Sequence, residues 1–199
     1  MIFTGDNGTN SVLTSEFKGE QIRGGKGYTH DYGMHVPLIA NWPGRIPGGR
    51  INQDLVCCSD FFPTMVEAAG LKPEEITDGD GWSFWPQCRG EKGVKREWIY
   101  GYCLPRSYAK KFDDMYDHWE VRYARDRRHR LYDNGNLYDT MDDVVEKRVI
   151  APDDGDEQAR RAREKFRLVF DSCPNSGLGV SYGKVKGTLR APAKRETRN

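Results

Sequence analysis

Apolar and polar positions divide this chain into three stretches. In the first, to about Leu71, Ile2-Phe3-Thr4 reads as a strand stub that ends in Asp6-Asn7-Gly8. A polar loop is predicted from Gly8 to Gln21, and Val36-Pro37-Leu38-Ile39-Ala40 has the length and apolarity of a buried strand. The turn sequence Asn41-Trp42-Pro43-Gly44 closes it. A short helix follows, with Ser59 or Asp60 as its cap, Pro63 tolerated in its first turn, and Gly70 stopping it after Met65 to Ala69. The whole stretch reads as the end of an α/β domain.

The second stretch, from about Thr77 to Asp139, alternates aromatic and polar residues in short segments. Trp98 to Tyr102 and Trp119 to Arg125 are strand-like, and Arg130-Leu131-Tyr132 enters the hairpin turn Asp133-Asn134-Gly135-Asn136 before Leu137-Tyr138-Asp139. These segments predict a small antiparallel sheet. In the third stretch Ala159, Ala162, Phe166, Val169 and Phe170 fall on one face of a helix over Glu157 to Asp171, while arginines and Lys165 fill the other. The helix is expected to dock on the small sheet, its positive amino-terminal end facing the acidic run Asp153 to Glu157. Between Lys184 and Asn199 six basic residues and one acidic residue leave almost nothing to bury, which predicts a disordered tail. A weak contact with an anionic surface is the alternative for this tail. The expected units are residues 1–76, 77–173 and 174–199, with no internal repeat.

A hydrophobic fraction of 37% and a charged fraction of 31% imply a thin core with much exposed surface. A net charge of +1 gives no electrostatic argument for nucleic acid or a membrane surface. The five cysteines lack metal-ligand spacing, and the neighbours Cys57 and Cys58 are poorly placed to bridge each other, so neither a zinc site nor a disulfide framework follows. The four histidines form no pair at metal-ligand spacing on a helix. No run is long enough for a transmembrane helix, and the amino terminus lacks a secretion-signal pattern.

Two features carry candidate chemistry. Asp6 and Asn7 place a carboxylate and an amide oxygen at a strand's carboxyl edge, where open α/β sheets bind ligands. Both are hard donors of the kind Ca²⁺ or Mg²⁺ accepts, although Asp-Asn-Gly alone is also a common turn. Lys26 sits in Arg23-Gly24-Gly25-Lys26-Gly27, and by itself would read as a solvated loop lysine. A nucleotide-binding loop fails on spacing: Glu20 stands five residues before Gly25, and Lys26 is followed by Gly27 instead of Ser or Thr. Nor is a strand predicted before this loop or a helix after it.

Lys26 is followed by Tyr28-Thr29-His30-Asp31-Tyr32-Gly33-Met34-His35-Val36-Pro37 and then by Trp42-Pro43-Gly44. In order and spacing, this series resembles the sulfatase family of the alkaline phosphatase superfamily. There a strand ending in Ser-Asp-Asn-Gly precedes Gly-Lys-Gly, a Tyr-Glu-Gly-Gly-Ile-Arg-Val-Pro segment and Trp-Pro-Gly. Asp54-Leu55-Val56, Ser59 to Thr64, Asp80 to Phe84, Leu137-Tyr138-Asp139, Asp142-Asp143 and Glu146 fit as well, so the resemblance covers about residues 1–172. His30 replaces the usual aromatic residue, Asp31 the usual Glu and His35 the usual Arg. None of the five cysteines begins the Cys/Ser-x-Pro-x-Arg motif that becomes the family's formylglycine nucleophile.

The resemblance implies part of an alkaline phosphatase-like α/β sheet sandwiched by helices, plus a small carboxyl-terminal antiparallel sheet with a packed helix. Met1 falls inside what the family builds as a central strand, so a carboxyl-terminal piece of a sulfuric ester hydrolase is expected, inactive as the isolated chain. By resemblance Asp6 and Asn7 are metal ligands for Ca²⁺ or Mg²⁺, and Lys26 is the catalytic, substrate-binding contact to sulfate. The formylglycine is expected in a missing amino-terminal part. The implied partner is a sulfated small molecule or polysaccharide, with no nucleic acid and no membrane span, and the full-length family member would be periplasmic or secreted. A phosphodiesterase or phosphonate hydrolase of the same superfamily, or a noncatalytic remnant or binding module, is the alternative. His30 and His35 are expected to be structural, with His30 lining the substrate cleft as the alternative. Arg106, Tyr108, Lys110 and Lys111 read as a solvated loop that could instead border that cleft.

Overall fold

Alternation of apolar residues in the 121–139 region builds a sheet with two different faces. The computed structural model describes residues 1–17, 19–76, 79–103 and 121–173. Strands β5 (Ile99–Cys103), β6 (Val121–Arg125), β7 (His129–Tyr132) and β8 (Leu137–Asp139) form one antiparallel sheet in that order. Its register pairs Tyr100 with Ala124, Ala124 with Leu131, and Leu131 with Leu137. That row faces helix α4 (Glu157–Ser172), where Ala159, Ala162, Phe166 and Val169 complete one apolar cluster. Val121, Tyr123 and Tyr132 bury the opposite face, and all four residues of β7 are buried. The helix starts where sequence placed it: Asp156 Oδ1 accepts a 2.9 Å bond from the Ala159 amide. The predicted hairpin turn holds too, with Gly135 at φ 90° and Asn134 Oδ1 accepting from the Asn136 amide.

The amino-terminal region departs further from expectation. Strand β1 (Ile2–Thr4) pairs antiparallel with β4 (Leu38–Ala40), Ile2 opposite Ala40 and Thr4 opposite Leu38. The expected larger sheet is represented among the described residues by this two-stranded ribbon. The buried strand over residues 36–40 is therefore a shorter, half-exposed one: each strand has one neighbour, and Phe3 and Ile39 stay 56% and 53% exposed. The predicted polar loop contains a hairpin, β2 (Thr14–Phe17) with β3 (Glu20–Arg23). Its strands are nearly all exposed, so no apolar alternation marked them, and Gly19 at φ 82° makes the reversal.

Helix α2 (Phe61–Ala68) follows one 3-10 turn and ends at Gly70, φ 83°. Asp60 does not cap it with its side chain. The buried carboxylate instead accepts from the Cys57 and Trp82 amides, both at 2.8 Å, and pairs with Arg96. Two further short helices, α1 (Asp31–Met34) and α3 (Trp85–Cys88), and a second 3-10 turn (Pro73–Glu75) complete the described elements. No helix among the described residues is long and apolar enough to cross a membrane. The expected tail, the loop of Arg106, Tyr108, Lys110 and Lys111, and the start of the strand predicted from Trp119 lie outside the described residues.

Candidate functional site

Three backbone segments interlock behind the end of β1. The Gly8 amide donates to Gly33 O at 2.8 Å, the Lys26 amide to Thr9 O at 2.9 Å, and the Gly24 amide to Leu13 O at 2.9 Å. The approach is too close for side chains at several of the glycines. A Cβ on Gly8 would lie 1.9 Å from Tyr32 O, and one on Gly33 would lie 2.1 Å from Tyr28 O. The loop bearing Asp6 and Asn7 is thus stitched to the loop bearing Lys26, whose side chain is exposed.

Within the first loop, Asn7 Nδ2 donates to Asp6 Oδ2 at 2.8 Å. That bond fixes the amide's orientation and turns Oδ1 inward, where it is buried with no hydrogen-bond partner. An unsatisfied buried acceptor costs about 1–3 kcal/mol. A partnerless amide oxygen beside a carboxylate fits a hard divalent cation. No cluster of three or more His, Cys, Asp or Glu that could hold a metal occurs among the described residues.

Behind Lys26 the chain enters a buried ionic network. Asp31 Oδ1 accepts from Arg125 Nη1 at 2.5 Å and from Arg130 Nη2 at 2.7 Å. Arg130 Nη1 donates to Glu146 Oε1, the Tyr132 hydroxyl donates to Glu146 Oε2, and Thr29 Oγ1 lies 2.7 Å from that hydroxyl. Arg130 is fully buried and stacks over the Tyr123 ring at 5.0 Å. Burial works against its charge, but Glu146, Tyr132 and Asp31 outweigh it and raise the guanidinium pKa. Burial pushes the Glu146 carboxyl above its usual range, against the pull of Arg130. Among the described residues Glu146 is also the non-glycine residue with positive φ, at 59°, a conformation held here by its two side-chain bonds.

His30 is 7% exposed, stacks on Tyr28 at 4.9 Å and meets the edge of Tyr32 at 6.0 Å. Burial, then Arg130, lower its imidazole pKa, so the ring is neutral at pH 7. His35 is exposed and only 3.9 Å from Asp31 Oδ2, a weak surface contact. A strand, β3, does precede the Lys26 loop and a helix, α1, does follow it, contrary to expectation. Because β3 belongs to an antiparallel hairpin and α1 is a single turn, the nucleotide-loop reading still fails.

Sequence reasoning named Asp31 and Glu146 only as positions fitting a pattern, and did not single out Arg130, Arg125, Tyr132 or Thr29 for the site. The available signal was charge density: Arg125-Asp126-Arg127-Arg128-His129-Arg130 is an unusual run to fold into buried strands.

Residues 19–167 match the family described as N-sulphoglucosamine sulphohydrolase, C-terminal. The N-acetylgalactosamine-6-sulfatase of Canis lupus familiaris is 35% identical over 102 residues, covering 50% of this chain and 20% of that protein. Arylsulfatase D of Homo sapiens is 32% identical over 111 residues, covering 54% of this chain and 19% of that protein. The chain therefore spans about a fifth of the length of these relatives. The structure of a phosphonate monoester hydrolase of Agrobacterium radiobacter aligns with a TM-score of 0.58 at 24% identity, over 86% of this chain and 34% of that one. This likeness shows a shared alkaline phosphatase-like fold.

Proposed function

This chain belongs to the sulfatases, as a member of the N-sulphoglucosamine sulphohydrolase C-terminal family, and we propose on that premise that it is the carboxyl-terminal part of a metal-dependent sulfuric ester hydrolase. Sulfate-ester hydrolysis builds negative charge on the sulfate oxygens and on the departing alcohol oxygen. Lys26 supplies a cation to the sulfate oxygens, and its glycine neighbours let the backbone bend close to the ligand. Asp6 and Asn7 Oδ1 hold a divalent cation, Ca²⁺ or in its place Mg²⁺. When bound, that ion supplies Lewis-acid stabilisation of the same oxygens. The observation that carries this reading is the buried, partnerless Asn7 Oδ1 beside Asp6 at the end of β1.

No Cys or Ser of the chain begins Cys/Ser-x-Pro-x-Arg, so the proposed formylglycine nucleophile is not supplied by this chain. The acid that assists the leaving alcohol is likewise assigned elsewhere. A sulfated small molecule or polysaccharide is the proposed substrate, and a periplasmic or secreted location is part of the same proposal. Phosphonate hydrolysis is the second reading, because an enzyme of that activity shares the fold. Sulfate is preferred because the family match and both relatives above carry sulfatase names.

The test is a substrate panel on a reconstructed full-length enzyme, in which this chain follows a segment carrying Cys/Ser-x-Pro-x-Arg. An aryl sulfate is expected to turn over faster than a phosphonate monoester or a phosphodiester. Turnover of the phosphorus substrates alone would reverse the assignment.

A further inference from the structure

We propose that Tyr132, on β7 of the carboxyl-terminal sheet, is a positioning residue for Lys26: through Thr29 its hydroxyl holds the turn that aims the lysine at the sulfate oxygens. The proposal rests on the reading of Lys26 given above and extends it to a residue 106 positions away in sequence.

Lys26 stands at the tip of a turn. The Tyr28 amide donates to Gly25 O at 3.0 Å, and Gly27, third in that turn, has φ 95°, the left-handed conformation that a type II turn requires there. The amide of Lys26 itself donates to Thr9 O at 2.9 Å, which fixes the entry to the turn. Its side chain is exposed, so the backbone beneath it decides where the ammonium group starts from. A turn held on its entry side alone is free to pivot about it.

The exit is held from the carboxyl-terminal sheet. Thr29 is 1% exposed, and its Oγ1 lies 2.7 Å from Tyr132 Oη. The Tyr132 hydroxyl donates its one proton to Glu146 Oε2, so in the other bond Thr29 is the donor and Tyr132 the acceptor. Burial, and then the Glu146 carboxylate, raise the phenol pKa, which keeps that proton in place. Asp31 is tied to the same sheet by Arg125 and Arg130, but two residues further along. The Thr29 contact is closer to the turn.

Tyr132 also acts through a single atom, which separates positioning from packing. Its ring lies 6.0 Å from that of Tyr123 and 5.8 Å from that of Tyr138. Tyr132→Phe keeps these ring contacts and removes only the oxygen that joins Thr29 to Glu146. A cation stabilises developing charge only where it is held in advance, and a displacement of about 1 Å can cost on the order of 10² in rate.

The test is a double-mutant cycle on kcat/KM for an aryl sulfate in the reconstructed full-length enzyme, with Tyr132→Phe, Lys26→Ala and the two combined. Tyr132→Phe alone is expected to lose about tenfold. Where Lys26 is already alanine it should lose nothing further, because its effect passes through that side chain. Thr29→Val should repeat the loss from the other end of the bond, and Thr29→Ser, which keeps the hydroxyl, should recover most of it. This second pair decides the matter if Tyr132→Phe does not fold. Equal losses from Tyr132→Phe in both backgrounds, an unimpaired Tyr132→Phe or Thr29→Val enzyme, or a Thr29→Ser enzyme as poor as Thr29→Val would each overturn the proposal. An unimpaired Lys26→Ala enzyme would instead overturn the reading of Lys26 on which it rests.

Discussion

Arg130 Nη2 donates to Asp31 Oδ1 at 2.7 Å across 99 positions of sequence, joining β7 of the carboxyl-terminal sheet to the segment just behind Lys26. The contact ties the sheet that buries α4 to the loop proposed to hold sulfate. Asp31 takes a second guanidinium from Arg125, and Arg130 a second carboxylate from Glu146, while Arg130 Nε is buried without a hydrogen-bond partner. The carboxyl-terminal region therefore positions the Lys26 loop as well as packing beside it.

Removing Arg130 would leave Asp31 and Glu146 buried without their shared cation. Breaking a buried pair in this way costs about 3–5 kcal/mol. Arg130→Ala is expected to lower the unfolding free energy of the chain by that amount in urea titration. Arg161→Ala, at a side chain 76% exposed, should stay within about 0.5 kcal/mol of wild type. Equal, small effects of the two substitutions would contradict the structural role given to the network.

Asp126 sets a pH dependence. Burial pushes its carboxyl up, but the backbone amides of His129 and Arg128, at 2.8 and 2.9 Å, and the Lys165 ammonium hold it below the usual carboxylate range. A folded pKa below the unfolded one contributes stability that is present above about pH 4 and lost as pH falls through the folded value. Denaturation midpoints measured from about pH 5 down to about pH 2 should fall for the wild type and fall less steeply for Asp126→Asn. Identical slopes would remove Asp126 from the account.

How much of this was legible in the sequence depended on what each segment buries. Helix α4 was legible because Ala159, Ala162, Phe166 and Val169 share one face, and β7–β8 because Asn134-Gly135 fixes the turn between apolar strands. The β2–β3 hairpin was not, since its strands bury almost nothing and leave no period to read. Asp6, Asn7 and Lys26 could be picked out only as a series, each being common turn or loop chemistry alone. Arg130 was hidden for a different reason: in the sequence it is one charge in a basic run, and only the register of β7 turns it inward while Leu131 faces α4.

The isolated chain is expected to hydrolyse no sulfate ester, because none of its cysteines or serines begins Cys/Ser-x-Pro-x-Arg. Incubation of the purified chain with an aryl sulfate should release no alcohol above the buffer rate. Turnover by a preparation free of contaminating sulfatase would require a nucleophile within these 199 residues.

The central claim is that Asp6 and Asn7 hold a metal while Lys26 holds sulfate, and metal content measured together with turnover in the reconstructed full-length enzyme tests it most directly. Asp6→Ala is expected to lose both bound metal and activity. Lys26→Ala should keep its metal and lose turnover by on the order of 10²–10³, the usual effect of removing one preorganised charge-stabilising donor. A tail substitution such as Lys194→Ala should change neither. A Lys26→Ala enzyme with normal activity, or an Asp6→Ala enzyme with unchanged metal content and rate, would contradict the assignment.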